Sequence, residues 1–378
     1  MIFGAGKVGR GFLAHLLDRA DWTFHLVDAH PPTVDALRSA EGWSVVNLHT
    51  GAVDRLSAEA IHHASESAAV ADAIRRSDLL LTAVGADQLT GWAAACRGMI
   101  MDRLESGAID LVLCENHPAP AAAVAETLKA APGEGGRFDR LGIVQAQVLR
   151  SCIEPTEQQM AASGPMTVQV QDHWTLPMDL DAAKRPDHLY DIAGFEPKRA
   201  FAVELMRKLY TYNAINAAVC YLGAHAGHHW LSDAASDGVI AQVAEGVGRE
   251  ASAALIAEHG FDPEEQREWC RRAISKYRDK AIRDPVERNA RDPIRKLGRH
   301  DRILGPIHLC LEHDIAWPHL EDVLFAALHY RQDADDGAIE LARQIDRGDV
   351  VGALRNLVPE VDERVLIRIG LRLSERRP

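Results

Sequence analysis

No two cysteines stand in a CxxC spacing: the six (Cys96, Cys114, Cys152, Cys220, Cys270 and Cys310) are scattered along the chain. A disulfide miniprotein is thereby excluded, and thiols in apolar company, as at Leu113 and Cys114, suit a reducing cytoplasm. No apolar run reaches the ~18 residues of a membrane span, so no membrane association is expected. The first residues, MIFGAGK, lack the charged start and apolar core of a signal peptide. Repeats and low-complexity tracts are absent. An excess of positive charge is missing as well: 42 Lys and Arg against 55 Asp and Glu leave the chain at −13. A surface of that sign does not coat nucleic-acid phosphates. What remains is an ordinary folded composition, 47% hydrophobic and 26% charged over 378 residues, for which two domains are the natural expectation.

The opening carries Gly4-Ala5-Gly6-Lys7-Val8-Gly9, a GxGxxG. Alone it is weak, since glycine triples occur in many turns. Its surroundings strengthen it. Apolar residues precede it, Val8, Phe12, Leu13 and Leu16 follow at helical spacing, and residues 22–28 read as a strand ending in Asp28, 19 residues past Gly9. In such a unit Gly4 allows the tight turn, Gly6 lets a pyrophosphate approach the backbone, and Gly9 lets helix pack on strand. Ala5, Lys7 and Val8 complete the phosphate loop at the positive end of the helix. Asp28 would accept hydrogen bonds from the adenosine ribose and repel a 2′-phosphate, which favours NAD over NADP. Only three residues precede Gly4, so either the native start lies upstream of Met1 or the first strand is short.

Continuous apolar runs at 78–84, 110–114 and 141–145, separated by helix-patterned stretches at 88–104 and 119–130, indicate a parallel sheet covered on both faces. Ligands of such sheets sit at the carboxyl ends of the strands, which places Val84, Gly85, Glu115 and Asn116 at the expected mouth. His62 and His63 read as a polar loop.

From about residue 200 onward the pattern is helical. Within it stands KLYTYNAIN (208–216), followed by AAVCYLG (217–223). At α-helical pitch Lys208, Asn213 and Asn216 fall at roughly 0°, 140° and 80°, on one side of a largely apolar helix. A lysine and two amides there are costly to bury without partners; function explains them better than satisfied core amides beside a snorkelling lysine.

The stretches FGAGKVGRGF (3–12), TAVG (82–85), CEN (114–116), the Lys-x4-Asn helix ending in Tyr221-Leu222-Gly223, and DPVERNARDPIRKLGRHDR (284–302) together resemble the polyol-specific long-chain dehydrogenases, the mannitol dehydrogenase family. The last stretch is most similar to the short branch that acts on mannitol 1-phosphate. The resemblance implies an α/β Rossmann-type NAD-binding domain (1–195) followed by a mostly α-helical substrate-binding domain (196–378). It implies a cytoplasmic oxidoreductase without metal, a monomer or weak dimer that interconverts mannitol 1-phosphate and fructose 6-phosphate. Lys208 matches the family's general base, and Asn213 and Asn116 match the amides that donate to the substrate oxygen. Asn116 also stands at the cofactor. A free lysine titrates near ~10.4, so work near neutral pH needs a lowering of about 2–3 units, roughly 3–4 kcal/mol.

Residues 271–302 hold twelve Lys or Arg against five Asp or Glu. Forked guanidinium and ammonium groups suit a phosphate monoester, and Arg288, Arg291, Arg295 and Lys296 are the expected anchors. A solvated helix face is the plainer alternative for any one of them. With Tyr277 alone among its aromatics, the segment lacks the interleaving of a single-strand nucleic-acid site.

Two departures stand out. The family's helix reads Asn-x2-His, and the third position here is Asn216. The family's Val-Asp-Arg-Ile is read here as Val148-Leu149-Arg150-Ser151, without the acid. Two alternatives therefore stay open: a dehydrogenase for another polyol, polyol phosphate or uronate, and a catalytically weak NAD(H)-binding sensor. His225, His228 and His229 have metal-like spacing, but no HExxH accompanies them; His228 matches a histidine of the resembled family, and a structural or substrate-edge role is expected.

Overall fold

The computed structural model describes residues 1–115, 119–129, 135–156, 160 and 163–375. They form two compact units, Met1–Phe201 and Ala202–Pro378. In chain order the strands of the first unit are β1 (Ile2–Phe3), β2 (His25–Asp28), β3 (Trp43–Asn47), β4 (Val53–Leu56), β5 (Ala60–His63), β6 (Leu79–Thr82), β7 (Ile109–Leu113), β8 (Leu141–Gln145), β9 (Cys152–Ile153), β10 (Val168–Val170), β11 (Leu176–Asp179) and β12 (Phe195–Lys198).

Six of them make one parallel sheet in the order β5-β2-β1-β6-β7-β8. The order reverses beside β1, the switch point at which Rossmann-type sheets open a ligand crevice. Side chains alternate between two cores. Ile2, Leu79, Leu81 and Val112 pack on one face with Leu13 and Leu16, whereas Phe3, Leu80, Leu111 and Leu113 pack on the other with Ile74 and Ile100. Burial on both faces is why these strands read as unbroken apolar runs. β1 spans only two residues yet pairs on both edges, with Leu26 and Val27 on one side and Leu81 and Thr82 on the other.

Two expectations change. His62 and His63 lie in β5, not in a loop, and His62 Nε2 stands 3.1 Å from His25 Nδ1 across the sheet. The first unit also runs past 195 to Phe201, because β12 pairs in parallel with β11. β3, β4, β10 and β9 form a separate four-stranded sheet that no apolar run announced.

The second unit is helical. Helix Ala214–His225 is buried along nearly its whole length. It packs against Gly238–His259, Val286–Ala290 and Pro318–Leu328. The Asp237 carboxylate caps Gly238–His259 by accepting from the Val239 and Ile240 amides. Gly305 has no Cβ because one would lie 2.5 Å from the Tyr210 ring, so helix Leu304–Glu312 can close on the segment after Lys208. Among the described residues no helix is long and apolar enough to cross a membrane.

Candidate functional site

In the first unit the glycines of the opening loop divide by what constrains them. A Cβ on Gly4 (φ +95°) would meet the Ala83 carbonyl oxygen at 2.3 Å, and one on Gly9 would meet the Gly4 oxygen at 1.9 Å. Gly6 faces open space, with nothing within 4 Å of its Cβ position. Chain packing therefore requires the outer two, while Gly6 leaves room for something outside the chain. Asp28, at the end of β2, accepts from the Ala5 amide at 2.7 Å and the His30 amide at 2.8 Å. A carboxylate offers about four acceptor sites, so Asp28 keeps capacity for further donors.

A cleft of about 440 Å³ opens here at the carboxyl ends of β1, β2 and β6. Gly4, Gly6, Asp28 and Val84 line it together with Trp92 and Met99. The Trp92 indole N–H is buried without a hydrogen-bond partner among the described residues. Ala5 and Gly9 are buried and act through Asp28 and Gly4, Val8 is half-buried, and Lys7 and Gly85 are exposed. Buried Glu115 joins the ends of β6 and β7, accepting from the Thr82 hydroxyl at 2.7 Å and the Val84 amide at 3.0 Å. Its burial raises its pKa, and those two hydrogen bonds oppose the rise. Asn116, its neighbour, lies outside the described residues.

In the second unit Lys208 ends helix Phe201–Lys208, and the chain continues as a π-helical turn, Leu209–Asn213. A turn of i→i+5 type brings a residue over the one five positions earlier, so Asn213 stands closer to the azimuth of Lys208 than α-helical pitch allows. Lys208 is half-buried. Burial first, and then the charges of Lys276 and Arg302, lower its pKa from 10.5 to about 7. Asn216 is buried and donates to the Asn289 side-chain oxygen at 3.1 Å.

Asn289 ties helix Ala214–His225 to the basic segment. Its backbone oxygen accepts from the Lys296 ammonium and from the Cys220 thiol. Lys296 is buried, 5.8 Å from the centre of the Tyr221 ring, and burial lowers its pKa to about 8. The other three expected phosphate anchors are exposed. Arg288 is exposed and gives its fork to Asp284 at 2.7 and 2.6 Å. Arg295 is exposed and held by Asp292 at 2.7 Å and Asp301 at 3.3 Å. Arg291 is exposed. The three histidines do not converge either: His225 bonds the Ala326 carbonyl at 2.9 Å, His228 faces Asp237 at 3.5 Å, and the His229 ring lies against Trp230. Among the described residues no group of three potential metal ligands is present.

Comparison with known proteins agrees with both units. The family model for the mannitol dehydrogenase Rossmann domain matches residues 1–139, and that for the mannitol dehydrogenase C-terminal domain matches residues 204–363. A mannitol-1-phosphate 5-dehydrogenase of Brevibacillus brevis is 30% identical over 351 residues, covering 89% of this chain and 88% of the relative. The chain belongs to the mannitol dehydrogenase family. This family member is an NAD-dependent oxidoreductase acting on a CH–OH group. Two solved structures share its fold. A substrate-free D-sorbitol dehydrogenase has a TM-score of 0.73 at 14% identity, covering 97% of this chain and 93% of the other. A mannitol 2-dehydrogenase of Pseudomonas fluorescens, in a ternary complex with NAD and D-mannitol, has a TM-score of 0.65 at 13% identity, covering 100% and 94%.

The first unit of this family member fits the dinucleotide. Gly6 leaves space for it, Asp28 has acceptor capacity to spare, and Trp92 lines the same cleft. Sequence reasoning missed Trp92, which reads as helix core, and Asn289, an amide hidden in a run of charges. The only signal for either was position: Asn289 falls inside the stretch most similar to the short branch of the family.

Proposed function

We propose that the chain interconverts mannitol 1-phosphate and fructose 6-phosphate, with Lys208 as the group that moves the proton. The observation that carries this reading is the Lys208 amine, lowered to about 7 on the helix that also presents Asn213. At that pKa both protonation states are populated near neutral pH, so one group serves oxidation as a base and reduction as an acid. The relative named for mannitol 1-phosphate, matching nearly the full length, supports the substrate.

Bound NAD supplies the hydride acceptor in oxidation and, once reduced, the donor in the reverse direction. Gly4, Gly6, Asp28 and Val84 would hold it. Neutral Lys208 removes the proton of the reacting hydroxyl, and in reduction its ammonium returns a proton to the carbonyl oxygen. Asn213 and Asn116 donate N–H bonds to that oxygen as it gains negative charge; a donor of this kind contributes about 3–4 kcal/mol where the geometry is good. The basic segment receives the phosphate. One observation keeps a neighbouring reading in view. Asn216 stands where the resemblance calls for histidine and already bonds Asn289, which favours a different polyol phosphate should the first substrate fail.

The test is NADH consumption with fructose 6-phosphate beside unphosphorylated fructose, with Lys208→Ala as control. Turnover of the phosphate ester, lost in the variant, is expected. Turnover of neither sugar by a protein that binds NADH overturns the reading and makes Asn216→His the next variant.

A further inference from the structure

We propose that Arg302, flanked by Lys276 and Lys296, is the guanidinium that binds the substrate phosphate and so selects a phosphorylated sugar. The inference rests on the reading of the substrate given above and names the residue that enforces it.

Arg302 lies in the turn between helices Pro293–Lys296 and Leu304–Glu312. Its side chain is 14% exposed, whereas that of Arg288 is 66% exposed and that of Arg295 52%. Its Nε donates to Asp301 Oδ1 at 2.8 Å, and its two terminal nitrogens have no hydrogen-bond partner among the described residues. Asp301 also receives Arg295 on its other oxygen, so one carboxylate is shared by two guanidinium groups. With Nε pinned, the remaining edge of the guanidinium is the forked pair that matches two phosphate oxygens.

The surroundings of Arg302 are rich in cations. It stands close enough to act on the charge of Lys208, Lys296 and Tyr277, and on Cys220 and Tyr221 of the active helix. Lys276 acts on Lys208 from helix Pro263–Arg278. Lys276 and Arg302 thus act on Lys208, and Arg302 on Lys296, from four stretches of chain. Among the acids near them, Asp301 and Asp292 are engaged by Arg295, and Asp284 by Arg288. A phosphate dianion would meet positive charge from several sides here, and the open edge of Arg302 would bind it directly. Arg288 and Arg295, which the sequence suggested for this role, spend their forks on carboxylates.

The arrangement also couples binding to chemistry. Burial first, and then the charges of Lys276 and Arg302, hold protons off Lys208. A phosphate dianion offsets them, so Lys208 takes up a proton when fructose 6-phosphate arrives, the state that reduction requires.

The experiment compares the wild-type protein with Arg302→Gln, Arg302→Lys and Arg288→Gln. It measures kcat/KM for fructose 6-phosphate and for fructose, and calorimetric binding of inorganic phosphate without substrate. In Arg302→Gln the preference for the phosphate ester and the affinity for inorganic phosphate are each expected to fall by roughly 10- to 100-fold. The inflection of kcat/KM with pH is expected to move upward, since one cation fewer acts on Lys208. Arg302→Lys should recover part of each loss, and Arg288→Gln should change neither preference nor affinity. A folded Arg302→Gln that keeps both preference and phosphate affinity overturns the proposal. If that variant does not fold, an Arg302→Lys protein melting like the wild type and retaining full preference overturns it equally. A wild-type enzyme that treats both sugars alike refutes the substrate reading instead, and phosphate binding that disappears in Arg302→Gln would still establish the anion site.

Discussion

Lys208 carries a disadvantage for stability. Its pKa in the folded chain is about 7 against an ordinary 10.5. Folding therefore disfavours the protonated form, and the cost is fully present below pH 7 and fades as pH rises from 7 toward 10.5. Lys208→Met should accordingly melt higher than the wild type at pH 6, with the difference shrinking above pH 7, while turning over nothing. Melting curves at pH 6 and pH 9 beside an activity assay check this. In the wild type, kcat/KM for alcohol oxidation should rise tenfold per pH unit below an inflection near 7 and then level, because only the neutral amine accepts the proton. A profile flat from pH 5 to 9 would remove Lys208 from the chemistry. Asn216 shows how one side chain is spoken for by another. Its bond to Asn289 links the active helix to the segment that carries Lys296, so Asn216→His must displace that bond as well as add length.

Short elements decide how these residues face. Two π-helical turns, Gly9–Leu13 and Leu209–Asn213, stand directly after the glycine loop and directly after Lys208. Each turns side chains away from the azimuth that α-helical pitch assigns, so the spacing Lys208-x4-Asn213 was legible while the angle between them was not. A π turn depends on the helices packed around it, and the residues inside it have no distinguishing composition. The glycine loop offers a sharper test of element against ligand. Gly9→Ala puts a Cβ 1.9 Å from the Gly4 oxygen and should unfold the loop, lowering the melting temperature with or without cofactor. Gly6→Ala meets nothing within 4 Å in the chain, so its melting temperature should stay near that of the wild type. Its NADH affinity should fall by about tenfold or more, since the added methyl takes the place of the approaching pyrophosphate. Fluorescence titration with NADH and a thermal melt of each variant separate the two cases.

Across the molecule, charge is distributed unevenly. The chain carries −13 overall, yet residues 271–302 are strongly basic. Attraction of a phosphate ester to such a segment is screened by salt, with the Debye length falling from about 10 Å at 0.1 M to about 3 Å at 1 M. The KM for fructose 6-phosphate should rise over that range more steeply than the KM for fructose, and an equal response of the two would count against a charged subsite. The two units keep separate cores. Ligand binding to one unit stabilises that unit by mass action, about 2.7 kcal/mol at a hundredfold excess over Kd. Calorimetry should therefore show NADH raising the transition of the Rossmann unit, and Asp28→Ala should reduce that rise.

Residue order alone established the pieces that local patterning controls. Unbroken apolar runs announced a sheet buried on both faces, the glycine spacing announced a dinucleotide loop, and a lysine with two amides stood out on an apolar helix. These are properties of neighbours along the chain, where steric limits and burial leave a periodic trace. What depended on folding was everything settled by neighbours distant in sequence. Asp284 came to pair with Arg288 and Asp301 with Arg295, Asn289 joined Asn216 to Lys296, and Arg302 and Lys276 came to bear on Lys208. A basic residue in a run of basic residues looks like any other until packing decides which one loses water and which one meets a carboxylate.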